Sequence, residues 1–128
     1  MNIPADLMYT QSDEWFRVKG DEGEMGITDY AQGHLSDIVY VELPEVGREV
    51  QAGQSMGTIE SVKAAADINS PVSGGVVAVN EDLPDSPDQV NKDPYGAGWM
   101  VRIKLSDLSD VDGLMDASAY RKYCEERG

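Results

Sequence analysis

The sequence predicts a mainly β fold: a flattened barrel-sandwich of paired β-layers, with short peripheral helices and a helix at the C-terminal end. Three observations predict it. Two short β-prone segments, residues 56–60 and 67–69, flank a centre of small residues, so a hairpin of about residues 56–70 presents Lys63 at its tip. A turn and a strand stand on each side of that hairpin: Val46-Gly47-Arg48-Glu49-Val50 with Ala52-Gly53-Gln54 before it, and Pro71-Val72-Ser73-Gly74-Gly75 with Val76-Val77-Ala78-Val79-Asn80 after it. Their likeness suggests two similar halves folded about the tip. Residues 99–105 alternate as a half-buried strand. At 128 residues the chain fits one domain, 1–128, able to bury roughly two-thirds of its unfolded surface. A second, catalytic domain has no room.

The opening β-prone segment runs from Met8-Tyr9 through residues 14–19, closes at the turn cluster Gly20-Asp21-Glu22-Gly23 and is answered by Glu24-Met25-Gly26-Ile27, a hairpin. Thr28 caps a short helix over residues 29–35, with Asp29 at its positive end. The run Ile38-Val39-Tyr40-Val41-Glu42-Leu43 is nearly continuous in β-branched and aromatic residues, which predicts a mostly buried strand ended by Pro44. At the Lys63 hairpin an Ala-rich centre also suits a helix, and no Asn-Gly or Asp-Gly pair marks the turn. Gly57, Thr58, Ile59 and Val62 before the alanines and Ser70-Pro71 after them leave too few residues for helical propagation, so the hairpin wins.

Further on, Ser86-Pro87-Asp88-Gln89 predicts a helix start, with Ser86 as N-cap, Pro87 at the first position and Gln89 completing a capping box. Residues 91–98, with Pro94, Gly96 and Gly98, form a loop, and in the strand that follows Trp99, Val101, Ile103 and Leu105 face inward. Tyr95 and Trp99 read as core aromatics rather than a ligand-stacking pair. Asp116 caps a final helix over about residues 117–126, with Met115 and Tyr120 as a hydrophobic staple and Tyr120, Tyr123 and Cys124 as its apolar face. Glu125 and Glu126 at the negative end of the helix dipole predict fraying.

Ten Lys and Arg against 24 Asp and Glu give a net charge of −14, which argues against nucleic acid or an anionic membrane as partner. Plain solubility accounts for that charge, as does docking on basic patches of larger enzymes. A single cysteine, Cys124, excludes an internal disulfide, and a single histidine, His34, leaves no His/Cys metal cluster; both read as structural. No signal core, Arg-rich presequence or membrane-length run is found, so the expectation is a cytoplasmic monomer.

Most surface lysines are merely solvated. Lys63 has no second cation or apolar pocket nearby in sequence to make it a Schiff-base nucleophile, and an enzyme of that kind would trap a carbonyl substrate under borohydride. Covalent modification fits better, because a group carrier needs a long tether on a rigid tip, as lysine-linked lipoamide and biotin provide.

Glu60-Ser61-Val62-Lys63, followed by Asp67 and Ser70-Pro71-Val72-Ser73-Gly74, resembles the lipoylation site of the glycine cleavage system H proteins. The likeness continues through Gly26-Ile27-Thr28-Asp29-Tyr30-Ala31-Gln32, Asp37-Ile38-Val39-Tyr40-Val41-Glu42-Leu43-Pro44-Glu45-Val46-Gly47, Asp85-Ser86-Pro87, Val90-Asn91, Asp93-Pro94-Tyr95-Gly96 and Gly98-Trp99, nearly the whole chain. Biotin carriers usually flank the lysine with methionines, and lipoyl domains of 2-oxoacid dehydrogenases usually place Asp before it; here the neighbours are Val62 and Ala64.

The resemblance implies a lipoyl/biotinyl-carrier-like hybrid barrel-sandwich with lipoic acid in amide linkage on Lys63 (N6-lipoyllysine). Glu60, Ser61, Val62 and Asp67 would frame the lysine for a lipoyl transferase or lipoate ligase. It implies a non-catalytic carrier that takes the aminomethyl group of glycine from the pyridoxal-phosphate glycine decarboxylase, hands it to the folate-dependent aminomethyltransferase and is reoxidised by dihydrolipoamide dehydrogenase. No catalytic residue and no metal are expected. In the family the loaded arm folds into a cleft, and the matching positions are Ser12, Glu14 and Asp67; solvated surface charge is the competing reading of Glu14 and Asp67. Asp13-Glu14-Trp15 stands where the family usually has His-Glu-Trp, and Ser36 stands where it commonly has Gly, a strained choice if that backbone needs positive φ. In a eukaryote the compartment would be the mitochondrial matrix. A relay that donates lipoyl groups to 2-oxoacid dehydrogenases would have nearly the same sequence.

Overall fold

Among the described residues, 1–127 of a computed structural model, nine strands pair into two sheets. The strands are β1 (Met8–Tyr9), β2 (Glu14–Lys19), β3 (Glu22–Ile27), β4 (Ile38–Glu42), β5 (Glu49–Val50), β6 (Ser55–Ser61), β7 (Ala65–Asn69), β8 (Gly74–Val79) and β9 (Val101–Leu105). Helix α1 (Asp29–Leu35) links β3 to β4, α2 (Gln89–Lys92) precedes β9, and α3 (Ala117–Arg127) ends the described chain. One sheet has the order β1-β2-β3-β9-β8-β5 and the other β4-β6-β7, with antiparallel neighbours throughout. The paired layers therefore form an open sandwich and do not close into a barrel.

Strand alternation puts Phe16, Met25, Ile59, Ile68, Val101 and Ile103 into one buried cluster, each worth about 1.5–3 kcal/mol relative to exposure. A second cluster lies under α3, where Leu7, Tyr9, Trp15, Tyr95, Tyr120 and Cys124 meet. Its centre is Tyr9 stacked on Tyr120, with ring centroids 4.6 Å apart. Tyr95 is core as expected, while Trp99 is half-buried ahead of β9 and Met100 beside it is fully buried, so the inward alternation begins only at Val101.

Local chemistry decides the helix starts. The Thr28 hydroxyl accepts from the Ala31 amide at 3.2 Å, and Asp116 Oδ1 accepts from the Ala119 amide at 2.8 Å. Met115 and Tyr120 pack in the same cluster, as a staple requires. Ser36 closes α1 at φ 70°, the positive value that makes this position a glycine site.

Elsewhere the structure differs from the sequence expectations. The opening segment is not one strand: Thr10 to Asp13 reverse the chain, with the Asp13 amide on the Thr10 carbonyl at 3.2 Å, so that β1 pairs with β2 through Tyr9↔Trp15. The next turn is only Gly20-Asp21, since Lys19 already pairs with Glu22. Strand β4 is not mostly buried: Val39 is 54 % and Tyr40 45 % exposed, because β4 is an edge strand with an irregularity between Ile38 and Tyr40. The Ser86 capping box does not form. Backbone turn bonds fill that stretch, the Gln89 amide donates to the Ser86 carbonyl, and α2 starts after Asp88. A 3₁₀ turn, Leu108–Gly113, capped by Asp107 on the Ser109 amide, was not anticipated. Helix α3 runs past Glu125 and Glu126 to Arg127, whose side chain is paired with Asp13.

Candidate functional site

The tip of the Lys63 hairpin is three residues long, Val62 to Ala64, between the strand ends Ser61 and Ala65. Ser61 supplies the turn chemistry that the sequence lacks in Asn-Gly form. Its hydroxyl oxygen accepts from the Lys63 amide at 3.1 Å and the Ala64 amide at 2.9 Å, while its own amide donates to the Ala64 carbonyl at 2.8 Å. The Val62 amide donates to the Asp37 carbonyl at 3.0 Å, tying the tip to the chain before β4. Val62 itself is 70 % exposed, and Glu60 and Ala64 beside the lysine are exposed too.

The Lys63 side chain lies out in solvent across a groove of about 400 Å³ shared with Met1, Tyr30, Gln32 and Gly33. Its Nζ donates to the carbonyl oxygen of His34 at 3.4 Å. His34 is exposed, its ring 4.2 Å from that of Tyr30, and both residues belong also to the wall of a second hollow. Helix α1 places His34 between the lysine and that hollow.

The second hollow is a cleft of about 210 Å³. The 12–14 turn forms one wall, α1 contributes Tyr30 and Leu35, and Ile59, Ala66 and Asp67 come from the hairpin strands. Ser12, Glu14 and Asp67 are therefore brought together. Glu14 is only 1 % exposed, so it is not a solvated surface charge. Its Oε1 accepts from the Thr10 and Ser12 hydroxyls, both at 2.6 Å, and its Oε2 faces the Asn69 amide at 3.4 Å. Burial pushes the Glu14 carboxyl up to about 7, because desolvation of the charged form outweighs the pull of those donors. Asp67 lies opposite Thr58 and is exposed at the rim. Sequence reasoning missed Thr10, whose hydroxyl four residues before Glu14 was the available signal.

A chain with an exposed primary amine on a rigid tip can be acylated there, and a buried carboxyl in a half-apolar cleft can hold a small cation. Among the described residues no group of three or more His, Cys, Asp or Glu is placed to hold a metal. No described helix is long and apolar enough to cross a membrane.

The family model described as glycine cleavage H-protein matches residues 7–127. The chain belongs to the glycine cleavage H-protein family. It is 54 % identical over 124 residues to the glycine cleavage system H protein 2, mitochondrial, of Arabidopsis thaliana, covering 97 % of this chain and 80 % of that one. Against the glycine cleavage system H protein of Carboxydothermus hydrogenoformans it is 51 % identical over 126 residues, 98 % of this chain and 97 % of the relative. The crystal structure of a glycine cleavage system H protein from Mycobacterium marinum superposes with a TM-score of 0.86 at 39 % identity, covering 98 % of this chain and 99 % of that one. Lys63, Glu14 and Asp67 all fall inside the segment that the H-protein model matches.

Proposed function

We propose that this chain is the lipoyl-bearing carrier of the glycine cleavage system, with lipoic acid in amide linkage to Lys63 and no catalytic residue of its own. The observation that carries the reading is the presentation of Lys63: an exposed amine on a hydrogen-bonded three-residue tip, across a groove from a cleft that holds a buried carboxyl. The residues fit the group. The lysine's nearest chain neighbours after it are three alanines, so nothing bulky shields the amine from an acylating enzyme.

When bound, lipoic acid supplies thiol–disulfide chemistry, which nothing in this chain provides, Cys124 being buried. Ser61 fixes the turn, and Glu60, Val62 and Asp67 give a lipoyl transferase or lipoate ligase its surface to recognise. Between partners, the aminomethyl group of glycine passes from the pyridoxal-phosphate glycine decarboxylase to the folate-dependent aminomethyltransferase, and dihydrolipoamide dehydrogenase reoxidises the carrier. The reading assigns this work to the cytoplasm, or to the mitochondrial matrix in a eukaryote.

Glu14 has the chemistry to shelter a cationic cargo. With its carboxyl held near 7, it is partly protonated at neutral pH, and an ammonium entering the cleft offsets the burial that opposes ionisation. The proton leaves Glu14 for solvent, and a carboxylate–ammonium pair remains, with Ser12 and Thr10 still donating to the carboxylate. Asp67 at the rim adds a second negative charge.

The decisive measurement is the intact and peptide mass of the protein from its native host. A lipoyl adduct on the peptide containing Lys63, together with support of glycine–bicarbonate exchange by the decarboxylase, is the expected result. A biotin adduct, or an unmodified Lys63 in fully active protein, overturns it.

A further inference from the structure

Glu14 stands in its cleft because the turn before it reverses the chain, and that turn is held from outside the cleft. Asp13 has φ 74°, a left-handed conformation that is uncommon outside glycine, though Asp is among the residues that adopt it most readily. Its carboxylate is gripped by the far end of the chain: Arg127 Nη2 donates to Oδ1 at 2.6 Å and Nη1 donates to Oδ2 at 3.2 Å. The hydroxyl of Tyr120 donates to Asp13 Oδ1 at 2.8 Å and lies 2.7 Å from Thr28 Oγ1, the cap of α1. The hydroxyl of Tyr123 donates to the Gln11 carbonyl at 2.8 Å. Three residues of α3 therefore converge on residues 11–13. The same guanidinium covers the ring of Tyr30 at 4.5 Å and that of Tyr123 at 4.0 Å. Asp13 and Tyr30 both line the cleft, whereas Arg127 does not.

We infer that Arg127 is a positioning residue for the cleft: from α3 it clamps the Asp13 turn and the Tyr30 ring, and so sets where Glu14 stands. Its importance for cargo rests on the carrier reading above, but the clamp belongs to the unmodified chain and is testable there. Two consequences separate a clamp from a surface ion pair. Without Arg127 the turn loses a bidentate fork that lysine cannot reproduce. The Asp13 charge, which opposes ionisation of its neighbour Glu14, also loses its counter-ion. The other groups facing the cleft are Asp67 from β7, His34 and Tyr30 from α1, and the Asn69 amide, and of these only Tyr30 touches Arg127.

The test uses the full, unlipoylated chain as wild type, Arg127→Gln and Arg127→Lys, with amide hydrogen exchange and carbon-detected NMR titration of the Glu14 carboxyl. In Arg127→Gln the amides of Asp13, Glu14 and Thr28 are expected to exchange at least about fivefold faster while those of Val76 and Ile103 stay unchanged. The Glu14 midpoint is expected to rise by about half a unit. Arg127→Lys should restore the midpoint and leave the three amides fast. Wild-type exchange and an unmoved midpoint in Arg127→Gln would overturn the inference, and so would acceleration shared equally by Ile103, because Arg127 would then stabilise the whole fold. The carrier reading fails on a different measurement, the mass of the native protein.

Discussion

Replacing Glu14 by Gln removes a charge that the fold holds at a cost, and the cost is legible as a pH dependence. Burial raises the carboxyl from 4.5 to about 7. At about 1.4 kcal/mol per unit, the ionised, buried Glu14 therefore costs about 3 kcal/mol of stability above pH 7. The sign follows from proton counting: between 4.5 and 7 the native state keeps a proton that the unfolded chain has released, so this group's contribution falls as pH rises through that window. A neutral amide in the same place has no such dependence. Its carbonyl can still accept from Thr10 and Ser12, but its nitrogen meets the Asn69 N–H, donor against donor, which costs about 1 kcal/mol. Glu14→Gln should therefore be less stable than wild type by about 1 kcal/mol at pH 4 and more stable by about 2 kcal/mol at pH 8.5, crossing near pH 5. Urea unfolding followed by Trp15 and Trp99 fluorescence across that range gives the difference directly, and contributions common to both proteins cancel. A difference that stays constant from pH 4 to 9 would refute the reasoning.

Lys63→Arg should retain charge and fold, with unfolding free energy within about 0.5 kcal/mol of wild type, while mass spectrometry finds no lipoyl adduct and glycine–bicarbonate exchange is lost. Ser36→Gly should stabilise the protein by about 1–2 kcal/mol, seen as a melting temperature a few degrees higher, because φ 70° with ψ −154° is a region nearly reserved to glycine. Gly57→Ala should cost about 2–3 kcal/mol in urea unfolding, since its new methyl would collide with the Glu42 carbonyl oxygen between β4 and β6.

What the sequence showed of this fold was what local chemistry decides. Thr28 and Asp116 cap their helices because a cap needs only residues within one turn. Val101, Ile103 and Leu105 alternate because β9 lies inside a sheet with one face on the core. The run from Ile38 looked buried for the same composition, yet its covering depends on whether another strand lies beyond it, and among the described residues none does. Ser86 had the right neighbours for a capping box, and competing backbone turns took its place. The lysine tip was legible through its small residues, whereas the burial of Glu14 was not, because Ile27, Ile59 and Ala66 reach it from other strands. Least legible was the Arg127–Asp13 pair, whose partners are 114 residues apart and leave no local pattern.

The hydrogen bonds of Ser61 within the tip have a kinetic meaning for a carrier. They fix the pivot from which the lysine side chain moves; on the proposal that Lys63 bears a lipoyl arm, the volume swept would include the cleft beside α1. A short tether of this kind gives an effective concentration on the order of millimolar. At that concentration an intrinsic dissociation constant of about 1 mM, or about 4 kcal/mol, keeps the cargo lodged half of the time. On that proposal, one buried carboxyl with Asp67 at the rim of a cleft of about 210 Å³ is well matched to so weak a grip. A tighter pocket would lengthen the residence of the cargo on the carrier and delay its hand-over to the next enzyme.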